Sequence, residues 1–415
     1  MKSKNIIFSL LLIMLLTIIG IFVIVKTPDE VSLRENRVLT KFNKPTVHTI
    51  ADGSFQKNFE TAFSDQFICK DTLFDSYTSL NNLFRKSVNS IIVNNNDNSE
   101  EQEDMTLVNI SDKGIFTVGK DGDWLTEFPW LWSDDYNDLI YQRISNYNDI
   151  IIKNSNVDFY IYKVTNFRET SWFDEANEIE CAGNHYEELF KNEIDPAYHY
   201  ASRSYDSFEE YKNYNYKTDH HWNADGARQG YIEIIDLIND KYPEIGNPKE
   251  PIDKKTSQIK FYGSMAKTSN YNVREDDFDL ISDYVYDLKD YKLYINGKQV
   301  SDYGQREAYY NNTADSNKEI NHYREFFGPD AYEKIYDYGN NTGVNALIIA
   351  DSYSNCIEPV LASHFDKSYF YDLRQEAYKP LNITKTIKEN DIDLVLYLGS
   401  YFDIFMEGAY IISEY

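Results

Sequence analysis

The stretch Lys217-Thr218-Asp219-His220-His221-Trp222-Asn223 sets an acid, two imidazoles and an indole in successive positions just before a helical pattern. Much later, the apolar run Ala346-Leu347-Ile348-Ile349-Ala350 stops at the polar pair Asp351-Ser352. Together the two stretches offer a serine, a histidine and an aspartate. A serine hydroxyl is a poor nucleophile at neutral pH, so an imidazole must take its proton and a carboxylate must orient that imidazole. In an extended segment residues two apart share a side, which puts Asp219 and His221 roughly 7 Å apart at Cα with His220 turned away. The expected roles are Ser352 as nucleophile, His221 as base and Asp219 as its orienting acid. Each stretch also has a plainer reading: adjacent histidines occur as surface polar residues or as a metal pair, and Asp-Ser after an apolar strand is a common strand-to-loop transition.

The string Asp219-His220-His221-Trp222, followed by Asn223 and by Gly226-Ala227 at a helix start, and the later strand ending in Asp351-Ser352-Tyr353-Ser354, resemble the DHHW family. That family belongs to the SGNH hydrolase-like proteins related to the alginate O-acetyltransferases, which carry Asp-x-His-Trp upstream and Gly-Asp-Ser downstream. Ordinary SGNH esterases have the serine first, so the order here is the permuted one of the acetyltransferase branch. Glu35-Asn36-Arg37 and Asp65-Gln66-Phe67 resemble the N-terminal region of the same family. The resemblance implies acetyl transfer through Ser352 to a hydroxyl of a cell-surface or cell-wall polysaccharide, with no cofactor and with a multi-pass membrane acyltransferase as acetyl supplier. The sequence departs from the family where Ala350 stands in place of the usual glycine. No SGNH asparagine block is recognisable, so one oxyanion donor is unassigned. Ser352's own backbone N–H is one expected donor, and Gly263 in Phe261-Tyr262-Gly263-Ser264 is a candidate for another, since the family has a glycine near here.

The elements that must carry these residues point to an α/β domain with an open, mostly parallel, SGNH-like sheet flanked by helices. Asp134 to Asn154 repeats apolar residues at helical spacing, and Asp158 to Thr165 is a strand, a helix-to-strand step of a parallel sheet. Arg168 follows at the carboxyl end of that strand, where ligands bind in such sheets, although an ordinary loop arginine also fits. After the motif, Asn223 suits the N-cap of a helix over about Ala224 to Asn239. Trp222 reads better as a staple between loop and sheet than as a sugar-stacking ring. The last stretch alternates again: strand Ala346 to Ala350, a helix through Cys356, Val360 and Leu361, strand Ser368 to Asp372, helix Ile383 to Asn390, strand Leu394 to Leu398. Tyr353 beside the nucleophile and Arg374 after the next strand are further substrate-facing candidates, with a structural salt bridge the alternative for Arg374.

Three regions are expected: a stub and transmembrane anchor over 1–27, a membrane-proximal helical region with an acidic loop over 28–105, and the catalytic domain over 106–415, interrupted by an irregular insertion at about 248–340. Ile6 to Val25 contains no charge and no proline, enough to cross a hydrocarbon core of about 30 Å. Lys2 and Lys4 precede it, and no Ala-x-Ala cleavage pattern follows. The rest of the chain is therefore expected outside the cytoplasm. Phe55, Phe59, Phe63 and Phe67 paint one helix face, and Asn94 to Asp104 reads as a mobile acidic loop. Phe173 to Tyr216 shows little periodicity. Asn296-Gly297 signals a hairpin, expected to lie over the sheet edge.

Composition narrows the partners. A formal net charge of -27 without lysine or arginine clusters speaks against nucleic acid, which is bound through such clusters. Three cysteines permit no disulfide framework, and no spacing resembles a zinc site, so no metal is expected. The 36 tyrosines and 24 phenylalanines supply core and groove surfaces alike. Two further readings share the fold: a carbohydrate esterase with the same triad, and a non-catalytic glycan-binding or assembly protein.

Overall fold

The computed structural model describes residues 2–32, 37–68, 70, 72–73, 76, 105–111, 113–119, 122, 124–269, 271, 278–301, 303–317, 320–374, 381–401 and 404–405. The chain divides into two compact units, Met1–Glu101 with Asn270–Asn272, and Gln102–Ser269 with Val273–Tyr415.

In the first unit, Lys2–Val25 is one continuous helix. Among the described residues no helix is long and apolar enough to cross a membrane, so the expected anchor is taken up below as a proposal. Strands β1 (Val31–Ser32) and β2 (Arg37–Val38) pair antiparallel. The expected phenylalanine stripe is present on helix Ser54–Asp65 and just beyond it, with successive rings of Phe55, Phe59, Phe63 and Phe67 about one helical turn apart. Buried Asp65 and Gln66 end that helix by accepting from the N–H groups of Thr40 and Asp29. The acidic stretch Asn94 to Asp104 lies outside the described residues.

The second unit is α/β. Its sheet runs β11-β10-β12-β14-β13-β15-β6-β7, built from β6 (Asp158–Val164), β7 (Tyr198–Arg203), β10 (Lys292–Ile295), β11 (Lys298–Val300), β12 (Glu333–Asp337), β13 (Asn345–Ala350), β14 (Lys367–Tyr371) and β15 (Leu394–Ser400). From β14 to β7 all pairings are parallel, and β12, β10 and β11 extend the sheet antiparallel. Central strands are buried on both faces, which is why β13 and β15 read as unbroken apolar runs. On one face Phe159, Ile161, Leu347, Ile349 and Val395 meet helices Asp134–Lys153, Gly183–Glu193 and Ile383–Glu389. On the other, Tyr160, Tyr162, Ala346, Ile348 and Leu396 meet helix Ala224–Asn239 and the short helix Glu358–Ala362.

A separate antiparallel sheet is formed by β3 (Val108–Asn109), β4 (Ile115–Val118) and β5 (Trp124–Glu127). Three expectations change. The stretch with little periodicity holds three helices, Asp174–Asn177, Gly183–Glu193 and Phe208–Tyr214, and the edge strand β7, whose mixed Tyr-His-Tyr-Ala-Ser-Arg suits a half-exposed edge. The described residues of the insertion include regular strands: β8 (Asp253–Phe261) pairs with β9 (Asp279–Val285), and β12 joins the main sheet. The Asn296-Gly297 hairpin does form, with φ of 47° and 75° at its two turn residues as a type I′ turn requires. It continues the sheet edge-on through β12 rather than covering its edge.

Candidate active site

The Asp219 motif is a tight loop. Tyr216 N–H donates to the His221 carbonyl at 3.2 Å and Asn223 N–H to that of Tyr214 at 2.9 Å, which folds the segment back on itself. Asp219 and His221 are therefore not joined by a pleat. The carboxylate accepts the N–H of His221, two residues on, at 3.1 Å, an Asx turn. Neighbours hold the loop from several sides: Lys217 N–H donates to Asp279, Leu125 N–H to the Lys217 carbonyl, and Gly263 N–H to Thr218 Oγ1. Asn223 caps helix Ala224–Asn239 by accepting from Asp225 and Gly226. Trp222, fully buried, donates its indole N–H to the Tyr353 carbonyl at 3.1 Å and lies close to Cys356 Sγ. It staples the loop to the nucleophile turn.

The three expected residues meet. Asp219 Oδ1 lies 2.6 Å from His221 Nδ1, and His221 Nε2 lies 2.8 Å from Ser352 Oγ. Asp219 Oδ2 accepts from Ser264 N–H at 2.7 Å. Burial opposes ionisation of Asp219, but the imidazoles of His221 and His220 and the Ser264 N–H outweigh it and hold the carboxyl well below the usual carboxylate range. Ser352 leaves β13 through a turn built on Asp351, whose carboxylate accepts from Tyr353 N–H at 2.9 Å and from Ser400 N–H at 2.8 Å. The Ser352 N–H donates to no group among the described residues and can serve an oxyanion. The helix expected through Cys356, Val360 and Leu361 is divided into a single 3₁₀ turn, Ser354–Cys356, and the short helix Glu358–Ala362.

His220 does not turn away. Its ring centroid is 4.0 Å from that of His221, and its Nδ1 pairs with Ser264 Oγ at 3.0 Å. Asp219, His220 and His221 cluster as metal ligands would. Yet the 2.6 Å contact of His221 is a hydrogen-bond distance, and His220 Nδ1 is 4.0 Å from the Asp219 oxygen and engaged by a hydroxyl. The three side chains are arranged as a proton relay with a neighbouring imidazole.

The remaining side candidates have internal partners. Gly263 spends its N–H on Thr218, so it offers none to an oxyanion; a Cβ there would lie 2.2 Å from the Thr218 carbonyl oxygen and 2.7 Å from Asp219 Cβ, so glycine is needed for close approach. Arg168 pairs with Glu127, donates to the Phe128 carbonyl and lies over the Trp130 ring. Arg374 closes back on Asp372 at 2.9 and 2.8 Å. Tyr353 is buried, with its hydroxyl on the His220 carbonyl. These groups are engaged by internal partners, as is Trp222.

Three contributors escaped sequence reasoning. Tyr323, from the short helix His322–Phe327, stacks on His221 at 3.9 Å and 11°, and its hydroxyl donates to the Ser352 carbonyl. Ser264 bridges Asp219 and His220. Lys334, buried in β12, binds Glu358 at 2.8 and 3.0 Å and Asn355 at 2.9 Å, while Ser354 also donates to Glu358, so the nucleophile turn stands on an ion pair. The aromatic spacing Tyr323, Phe326, Phe327 was a legible helix signal; the other two had none.

Two substitutions probe this scaffold. Gly230→Ala would put a Cβ 2.4 Å from the Trp222 ring, and overpacking of that kind is expected to destabilise by about 1–3 kcal/mol; an unchanged denaturation midpoint would count against the staple. Lys334→Ala leaves Glu358 buried without its cation and is expected to cost about 3–5 kcal/mol in chemical denaturation. A loss below about 1 kcal/mol would mean that the pair is solvated.

No family model matches the sequence, and no curated protein matches it. Solved structures do. Bacillus cereus PatB1 aligns with a TM-score of 0.57 at 22% identity over 75% of this chain and 100% of that one. A second PatB1 structure, with a sulfonyl adduct, gives 0.56 at 22% over 72% and 97%. A DHHW family protein from Eubacterium siraeum gives 0.56 at 22% over 73% and 95%. At this identity the likeness is one of fold, and it includes a member of the family that the motifs resemble.

Proposed function

We propose that this chain is a serine acyltransferase that moves an acetyl group onto a hydroxyl of a cell-surface or cell-wall polysaccharide. The observation that carries the reading is the relay from buried Asp219 through His221 to Ser352 Oγ, with both contacts at hydrogen-bond distance. Ser352 Oγ attacks the carbonyl carbon of an acetyl ester while its proton passes to His221 Nε2. The donor alcohol leaves with that proton, and the acetyl group stays on Oγ. A sugar hydroxyl then gives its proton to His221, its oxygen attacks the acetyl carbon, and Ser352 leaves and recovers the proton. Asp219 stabilises the imidazolium in both halves.

Water in place of sugar makes the same residues an esterase, and the partial exposure of Ser352 admits water as well as sugar. A pure binding module has no use for a buried acid behind a base behind a serine. The helix Lys2–Val25 serves as the anchor in this reading: Phe8, Leu10, Ile13, Met14, Ile18, Ile21 and Phe22 are exposed on it, and its length is about 36 Å at 1.5 Å per residue. The enzyme then works outside the cytoplasm, and a multi-pass membrane acyltransferase supplies the acetyl group. The test is transfer: full-length protein in detergent, an activated acetyl ester and candidate wall glycans, with mass spectrometry of the glycans. Acetylated glycan that disappears in His221→Ala supports the reading. Ester hydrolysis with every glycan left unmodified would favour the esterase.

A further inference from the structure

His220 is unused by that mechanism, and its surroundings give it a job. Its ring sits beside His221 but is far more open, with 40% of the side chain exposed against 7%. Its orientation is fixed at two points: Nδ1 meets Ser264 Oγ, and its backbone carbonyl accepts the Tyr353 hydroxyl. Ser264 in turn holds the Asp219 carboxylate through its N–H, so the His220 ring is registered to the relay. Its Nε2 has no hydrogen-bond partner among the described residues.

We propose that His220 selects the acceptor, its open ring nitrogen binding a hydroxyl adjacent to the one that attacks, so that the site favours vicinal diols over lone alcohols and water. This rests on the serine acyl-transfer reading and names the acceptor class for it. The geometry suits a hydroxyl in particular. Ser264 can donate to Nδ1 or accept from it, which leaves Nε2 a donor or an acceptor accordingly, and a hydroxyl answers either. Partial burial, and then the neighbouring His221, lower the pKa of the His220 ring, which favours the neutral imidazole that suits an uncharged diol.

The test uses full-length protein in detergent with an activated acetyl ester and two matched acceptors, a cis-cyclohexanediol with adjacent hydroxyls and cyclohexanol. The ratio of transfer to hydrolysis is taken per acyl-enzyme formed. Wild type is expected to favour the diol by about three- to tenfold, the range of one neutral hydrogen bond. His220→Asn, whose amide stands near the Nδ1 position only, is expected to lose that preference. His220→Gln, whose amide reaches the Nε2 position, is expected to restore part of it. An equal response to both acceptors in wild type, or an unchanged preference in His220→Asn while Ser352 is still acetylated, overturns the inference and leaves the serine reading standing. Failure of wild type to acetylate Ser352 overturns both.

Discussion

Ser352→Ala is expected to abolish covalent labelling and to lower ester turnover on the order of 10⁴-fold or more. The loss is that large because the substitution removes the atom that forms the bond, and among the described residues Ser352 Oγ is the hydroxyl that pairs with His221 Nε2. The thiol of Cys356, which follows the Ser352 turn, is pushed up to about 12 by burial and is engaged by Trp222, so it is a poor substitute. Stability should move by less than about 1 kcal/mol, since Ser352 is only partly buried and its hydroxyl supports no other contact among the described residues. Steady-state kinetics beside a thermal melt separates the two effects. Residual turnover above a tenth of wild type would remove Ser352 from the chemistry.

Asp219→Asn is the second large effect, expected to lower kcat by about 10³- to 10⁴-fold with little change in KM. The carboxylate accepts from three N–H groups: the His221 backbone and ring on one oxygen, and Ser264 on the other. An amide has one acceptor oxygen, so in either rotamer an N–H faces an N–H across a buried contact. The cost to stability should be about 1–3 kcal/mol. The same depression predicts acid sensitivity. Because the folded carboxyl titrates below its unfolded value of about 4, the stability that it contributes is complete above that value and is lost as pH falls toward the folded one. Wild type should therefore destabilise below about pH 4 more steeply than Asp219→Asn. Parallel denaturation profiles for the two proteins would contradict this account of Asp219.

The parts of the fold that were legible share a physical cause. Strands β13 and β15 and helices Asp134–Lys153 and Ala224–Asn239 are each set by continuous or periodic apolar residues that a two-faced core demands. Strand β7, at the sheet edge, and strands β8 and β12 of the insertion, whose partners lie well along the chain, lack that signature. The candidate triad was legible because its chemistry restricts residue types, and the family resemblance joined two stretches far apart in sequence. Its geometry was not. The proximity of Asp219 and His221 comes from an Asx turn, and the same bend brings His220 to lie beside His221, where an extended strand would have sent it to the opposite side. The partners of the substrate-facing arginine candidates were unequally legible: Glu127 meets Arg168 only across the fold, whereas Asp372, two residues before Arg374, gives the structural salt bridge that the sequence also offered.

The most direct test of the central claim is peptide mapping of the full-length protein quenched soon after exposure to an activated acetyl ester. A single acetyl group on Ser352, absent from His221→Ala, is the predicted result. Acetyl groups scattered over surface lysines with Ser352 unmodified, or labelling of Ser352 at the same rate without His221, would contradict a serine activated through His221 and Asp219.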